Sequence, residues 1–387
     1  MIPAGIISAD GHVCEAANTY TDYIDPAYRD RAPHIVALDN GTEAFVVPGM
    51  RKPVALGFID GAGFEPRERL ARAKTMTFAD VRPAAYIGRE RLAFMDADGI
   101  AAELIYASVG MGICMHRDAE FKDACMKAYN RWLAEMCSDA PERIFGLAQT
   151  AVLGVDDAIA DFQRAREMGF VGMMMPGDPI HEDYDHPDYD ALWECATDLD
   201  LPVCFHILTN RAGSIDQQTR GHALNNFLGI MRAIQDVVGM MTLGGVFERH
   251  PGLKLVVAES DAGWLPHYMY RMDHAARIHT GDGVLKGLSK LPSDYIRSNV
   301  WATFQDDVTA YHTGDLMDYH HLLWASDFPH TDSTWPRSRQ LIAEQASHLG
   351  EDHHQAIFRD NTAALFGLPA GQRSWRMEAG ELAATAH

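Results

Sequence analysis

The fold that this sequence predicts is a (β/α)8 barrel of the TIM type, and three observations predict it. Eight short apolar runs recur along the chain, most of them with a helical pattern before the next. Near-continuous apolar strands alternating with helices indicate a parallel sheet covered on its outer side, and eight such units suggest closure. Polar residues stand at the ends of these runs, where the active sites of such barrels are built. An open doubly wound sheet is the competing architecture, but Asp10-Gly11-His12-Val13 follows the first run in place of a glycine-rich phosphate loop.

Residues 5–12 form the first predicted strand. Asp10 and His12 lie at i and i+2, so an extended chain sends both side chains from one face. Residues 13–80 read as a Pro- and Gly-rich insertion with two β-like runs, 42–47 and 52–57, around Pro48-Gly49-Met50-Arg51. A stretch this long is expected to form a lid, a cap or a subunit contact. Helical spacing over residues 84–98 then leads through Gly99 into a strand over 100–106.

The alternation repeats as helix 121–137 and strand 143–149, then helix 156–168 and strand 169–175. Helix 189–198 precedes strand 201–206, and a long helix near 223–249 precedes strand 253–259. A helix near 264–277 comes before strand 298–304, and residues 322–327 close the series. A last helix is expected near 352–366. Residues 1–368 are thus expected to form a single barrel with a C-terminal extension, 369–387, whose Trp375 and Met377 suit docking on a neighbouring subunit.

Composition narrows the function. The 387 residues are 47% hydrophobic, enough for a large core, and 33 Lys+Arg against 54 Asp+Glu give a formal charge of -21. That charge repels nucleic-acid phosphate and anionic membrane surfaces, so neither is an expected partner. With no signal-peptide pattern at the start and no long apolar span, a soluble cytoplasmic protein is expected. The six cysteines form no CxxC pair and read as small core residues.

The strand ends carry the chemistry. Asp10 and His12 follow the first strand, His206 the fifth, Glu259 the sixth and Asp327 the eighth. A lone histidine on an apolar strand is more often a core residue than a ligand, but this one has companions. Carboxylates converging in a barrel mouth want a cation, because burying an unpaired one costs several kcal/mol or more. Two histidines with two or three carboxylates suit a divalent ion: Zn accepts this set, and the oxygen-rich balance also admits Mn or Fe. His320-His321 precedes the last strand, away from the mouth, and reads as structural.

Several motifs resemble the amidohydrolase-2 (amidohydrolase-related) family, the branch with aminocarboxymuconate-semialdehyde and resorcylate decarboxylases. They are Asp-x-His after the first strand, Phe205-His206, the run Val246-Phe247-Glu248-Arg249-His250-Pro251-Gly252, Ala258-Glu259-Ser260-Asp261-Ala262-Gly263-Trp264-Leu265-Pro266, and Ala325-Ser326-Asp327-Phe328-Pro329-His330-Thr331-Asp332. The resemblance spans about residues 5 to 368 and implies a divalent metal held by Asp10, His12, His206 and Asp327. Three departures stand out: the first motif is DxH where many members have HxH, the fourth strand has no lysine for a bridging carbamate, and Glu259 replaces a catalytic histidine.

The function that follows from the resemblance is hydrolysis or decarboxylation of a small carboxylate or amide, the metal polarising the substrate and acidifying a water. Asp327 would serve as ligand and proton acceptor, with His330 or Glu259 as a second proton-transfer group. Arg211 is a candidate clamp for an anionic substrate, and Trp264 and Trp301 are candidate pocket walls. Glu259 opens a further reading: with Asp10 and His330 it could bring in a second metal, giving a carboxylate-rich dinuclear Fe or Mn/Fe oxygenase. A third reading is a metal-bearing subunit that keeps the fold and serves a second polypeptide. An oligomer is expected, of this chain alone or with a partner.

Overall fold

The computed structural model describes residues 5–210, 221–279 and 287–369. Eight parallel strands stand in the order β1 (Ile6–His12), β5 (Ile100–Tyr106), β6 (Ile144–Gln149), β7 (Gly172–Met175), β8 (Val203–His206), β9 (Leu255–Ala258), β10 (Val300–Phe304) and β11 (Leu322–Trp324). All but one of their residues are buried, the exception being half-buried Trp301, which is why they read as apolar runs without alternation. The series closes into a barrel just beyond β11, where Asp327 N donates to Asp10 O at 3.0 Å and His12 N donates to Phe328 O at 2.7 Å.

The outer layer follows the helical patterns closely. Ala119–Ser138 buries Phe121, Cys125, Tyr129, Trp132 and Met136 on one face, and Val155–Glu167 buries Ala158, Phe162 and Ala165. Gly99 ends the helix Gly88–Asp98 in the left-handed conformation, φ 74°, which lets the chain turn directly into β5. The expected helix over 223–249 is two pieces, Ala223–Leu243 and Val246–Arg249, because Gly245 at φ 77° breaks the ladder. Helix Pro292–Asn299, hidden from the periodicity by its start at proline, precedes β10. The expected last helix is interrupted by a π-turn at Ala356–Asp360.

The insertion after β1 is more ordered than its composition indicates. β2 (His34–Ala37), β3 (Glu43–Val46) and β4 (Val54–Ala55) form an antiparallel sheet, so the expected hairpin has a third strand. The segment then lies across the loop after β11: Gly61 N and Ala62 N donate to Pro329 O, and Thr331 Oγ1 donates to Phe58 O. Among the described residues no helix is long and apolar enough to cross a membrane. Residues 370–387, with Trp375 and Met377, lie outside the described residues, as does Arg211.

Candidate metal centre

β1 points Asp10 and His12 into the mouth, and both are fully buried. Between them stands Gly11, where a Cβ would lie 2.1 Å from Glu103 Oε1, so a side chain there requires Glu103 or the strand to move. Glu103 itself pairs with Arg91 Nε at 2.7 Å, an ion pair with almost no exposure. The same guanidinium donates to His12 O and to Phe328 O, each at 2.8 Å, so one buried arginine pins the backbone on both sides of the barrel seam.

Two further ligand candidates leave their strands in an unusual way. Glu259 and Asp327 have φ of 53° and 55°, the left-handed region that non-glycine residues enter at a cost of about 1–3 kcal/mol. Each is held there through its own N–H: Glu259 N donates to Thr303 Oγ1 at 2.8 Å, and Asp327 N to Asp10 O. Thr303 Oγ1 in turn donates to Asp10 Oδ2 at 3.0 Å, tying the ligands of β1 and β9 together.

The resulting cluster is tight. His12 Nε2 lies 3.3 Å from Asp10 Oδ1, 3.3 Å from Glu259 Oε2 and 3.6 Å from Asp327 Oδ1. His206 Nε2 lies 3.1 Å from His12 Nε2, 3.3 Å from Glu259 Oε2 and 3.7 Å from Asp10 Oδ2. His12 Nδ1 faces Ala107 O at 3.1 Å and His206 Nδ1 faces Ile207 O at 3.0 Å. Nδ1–H donation to these carbonyls leaves both Nε2 atoms as ligands aimed at one point. Asp10 Oδ1, Glu259 Oε2 and both Asp327 oxygens are buried without a hydrogen-bond partner.

This donor set fits a divalent ion. Donor atoms placed around a metal at about 2.1 Å stand roughly 3.0–3.5 Å apart, close to the spacings here. The electrostatics make the same demand. Burial resists charging His206, yet Asp10 and Glu259 outweigh it and hold its imidazole up to about 10. Burial, then Glu259 and Asp10, push the Asp327 carboxyl well above the usual carboxylate range. Three carboxylates close together need positive charge, from protonated imidazoles or from a cation.

His330 completes the cluster. Its ring stacks on His12 with centroids 3.9 Å apart, and its Nδ1 is 3.0 Å from Asp327 Oδ1. Ser108 Oγ donates to Val13 O, so it accepts from His330 Nε2, 2.7 Å away. That bond places the Nε2 proton and leaves Nδ1 as the atom facing Asp327. Burial and His12 hold His330 well below the usual histidine range. Two sets of four and three donors, His12-Glu259-Asp327-His330 and Asp10-His12-His206, each lie within 4.8 Å and share His12.

The structure therefore brings Asp10, His12, His206, Glu259, Asp327 and His330 together. Trp264 Nε1 donates to Ser260 O, on the residue after Glu259, at 2.8 Å, and its ring packs on Tyr268. Trp301 stacks on His321 near the start of β10, at the opposite end of the barrel, which corrects the expectation that it walls the site. His321 Nδ1 bonds Val300 O there, a structural contact. Arg91, Glu103, Ser108 and Thr303 escaped the sequence reading. Thr303 near the end of the seventh barrel strand, and Arg91 on the buried Arg91-Met95-Asp98 face of its helix, were the available signals.

The amidohydrolase family model matches residues 60–368. Over 348 residues, 84% of this chain and 97% of the relative, the sequence is 24% identical to the gamma-resorcylate decarboxylase of Rhodococcus jostii (strain RHA1). An amidohydrolase from Mycobacterium avium subsp. paratuberculosis K-10 superposes with a TM-score of 0.76 at 20% identity, over 95% of this chain and all of that one. A variant of 5-carboxyvanillate decarboxylase from Novosphingobium aromaticivorans, solved with bound manganese, superposes with a TM-score of 0.68 at 19% identity, over 94% and 97%.

Proposed function

The chain belongs to the amidohydrolase family, and from that premise we propose that it is a divalent-metal-dependent decarboxylase of a small carboxylic acid. The observation that carries this reading is the buried set of unpartnered carboxylate oxygens facing the Nε2 atoms of His12 and His206. The decarboxylase relative aligned over 97% of its length, and the manganese in a neighbour of the same fold, support it.

Asp10, His12, His206, Glu259 and Asp327 would hold the ion. Bound there, it would supply Lewis acidity toward the substrate's carboxylate and neighbouring oxygen. Decarboxylation breaks the bond between carbon and carboxylate, leaves the electron pair on carbon and requires one proton in place of the departing CO2. The pair Asp327 Oδ1 and His330 Nδ1 is built to hold that proton, since Ser108 commits the other ring nitrogen. Burial of the whole pair keeps competing water away.

The test is to load the protein with Mn, Fe or Zn and incubate it without oxygen with a panel of aryl and alkyl carboxylic acids, following CO2. Metal-dependent release, abolished in Asp327→Asn and reduced at least 100-fold in His330→Asn, is expected. Full metal content with no CO2 from any acid would sink the reading.

Glu259 favours one alternative. It adds a third carboxylate to the cluster, and carboxylates, unlike the single free nitrogen of His12, can bridge two ions. Burial, then Asp307, Asp306 and Asp332, push the Asp261 carboxyl up to about 7, and burial, then Glu259 and Asp306, raise that of Asp332, so the surroundings are acidic as well. On that reading the protein is a dinuclear Fe or Mn/Fe oxygenase. Two redox metals per chain with substrate-dependent oxygen uptake would establish it in place of the decarboxylase.

A further inference from the structure

Glu15 stands three residues beyond His12 and is fully buried. Its Oε1 accepts the backbone N–H of Ser108 at 3.1 Å and that of Gly110 at 3.2 Å, with the Tyr20 hydroxyl at 3.5 Å. These backbone donors lie where β5 hands over to the short helix Val109–Ile113, and Ser108, at the N-cap of that helix, makes no side-chain cap bond. A carboxylate from the loop after β1 therefore supplies the acceptor that the local sequence does not. Burial pushes the Glu15 carboxyl above the usual carboxylate range, against the N–H groups of Val109, Gly110 and Ser108, which favour its charge.

Two residues of this segment serve the metal cluster. Ala107 O faces His12 Nδ1 at 3.1 Å, and Ser108 Oγ, its hydrogen given to Val13 O, accepts from His330 Nε2 at 2.7 Å. The segment thus sets which nitrogen each ring leaves free: Nε2 on His12, Nδ1 on His330. Ala107, Ser108 and Gly110 are buried, so an N–H that loses Glu15 has no solvent to turn to, and the backbone must shift to find it another partner. A shift carried by Ala107 and Ser108 reaches both rings.

We propose that Glu15 is a positioning residue for the metal cluster: through residues 107–110 it fixes the orientation of His12 and the nitrogen of His330 that carries the proton. Glu15 Oε2 is buried without a partner, so the acceptor at Oε1 carries the role and an amide can replace the carboxylate. The effect on turnover rests on the decarboxylase reading; the effects on metal affinity and on the His330 tautomer do not.

The experiment compares Glu15→Gln, Glu15→Asp, Glu15→Leu, Ser108→Ala and the double variant Glu15→Leu with Ser108→Ala. In Zn-loaded protein with histidine labelled for nitrogen NMR, the His330 signals are those lost in His330→Asn, and their shifts report which ring nitrogen is protonated. Zn affinity is read by competition with a fluorescent chelator. The parent should carry the His330 proton on Nε2, and Glu15→Gln should match it. Glu15→Leu should mix the two tautomers and weaken Zn binding about 10–100-fold, as loss of an outer contact does. On any acid that yields CO2 it should lower kcat about 10–100-fold at nearly constant KM, the effect of a misplaced group. The double variant should change His330 no further than Ser108→Ala alone, because both changes act through one contact.

A parent-like tautomer and Zn affinity in Glu15→Leu, or a double variant whose His330 change exceeds that of both singles, would overturn the proposal. If Glu15→Leu does not fold, the shortened Glu15→Asp decides: mixed tautomers beside an intact Glu15→Gln support the proposal, and a parent-like Glu15→Asp overturns it. The His330 and Zn changes without CO2 from any acid would leave Glu15 in its role and remove the decarboxylase. CO2 release at the parent rate from folded Glu15→Leu would do the reverse.

Discussion

Asp327 donates its backbone N–H to the carbonyl oxygen of Asp10 at 3.0 Å, so the seam that closes the barrel runs through two of the metal-ligand candidates. Closure and site assembly are therefore one event. A change that loosens the seam should be felt at the metal before it is felt in the outer helices.

Arg91 is the strongest test of that coupling. Replacing it with Met leaves Glu103 buried without its partner and frees His12 O and Phe328 O, for a loss of about 3–5 kcal/mol. Thermal unfolding should show a markedly lower Tm for Arg91→Met, and adding Glu103→Leu should recover part of it. A single variant as stable as the parent would show that the seam does not depend on this ion pair.

Gly11→Ala probes the ligand spacing itself. Its Cβ would overlap Glu103 Oε1 at 2.1 Å, and with Glu103 held by Arg91 the strain is expected to shift Asp10 and His12. Retained metal after dialysis, measured by elemental analysis, should fall at least 10-fold. Parent-like metal content would mean that Glu103 moves aside instead.

Thr303→Val removes the hydroxyl that serves Glu259 N and Asp10 Oδ2 while keeping the shape of the side chain. Loss of such an outer contact costs about 10–100-fold in metal affinity. Competition with a fluorescent chelator should show that loss for Thr303→Val and little for Thr303→Ser.

Asp98 sets a slope in the pH dependence of stability. Burial, opposed by hydrogen bonds from Ser338, pushes its carboxyl up to about 7. The folded protein keeps a proton that the unfolded chain releases near pH 4, so the stabilisation is complete below about 4 and is lost as pH rises through 7. Calorimetric Tm values should fall across this window in the parent by up to about 1.4 kcal/mol of stability per unit, and Asp98→Asn should flatten the fall. An unchanged slope in the variant would assign the effect to other groups.

Metal removal should have a pH signature too. Without a cation, His206 is held up to about 10 against an ordinary value of 6.5, so its contribution is complete below 6.5 and disappears as pH rises to about 10. A bound ion takes over that role with neutral imidazole. Chelation should thus lower Tm more at about pH 9 than at about pH 6, and an equal loss at both would contradict the assignment of His206.

Much of the barrel was readable from local pattern, because a buried parallel strand and its covering helix each carry their own period. Strand 100–106 matches β5 residue for residue, and Asp10 and His12 share a face by strand geometry alone. The ends of the fifth, sixth and eighth strands pointed at His206, Glu259 and Asp327 for the same reason. Helix Pro292–Asn299 and the third strand of the insertion left no comparable trace: one is short and begins at proline, and the other, His34–Ala37, is half exposed.

The sequence by itself determined the architecture and named five side chains that meet at the mouth, since strand ends in a barrel converge, while the family-like motif after the last strand added His330. Only the tertiary structure decided which groups hold them there. Arg91, Glu103, Ser108 and Thr303 act through contacts between residues far apart in the chain: Arg91 reaches Phe328 across 237 positions, and Thr303 reaches Asp10 across 293. No periodicity records such a contact, because it depends on closure of the barrel, which brings the first strand against the last.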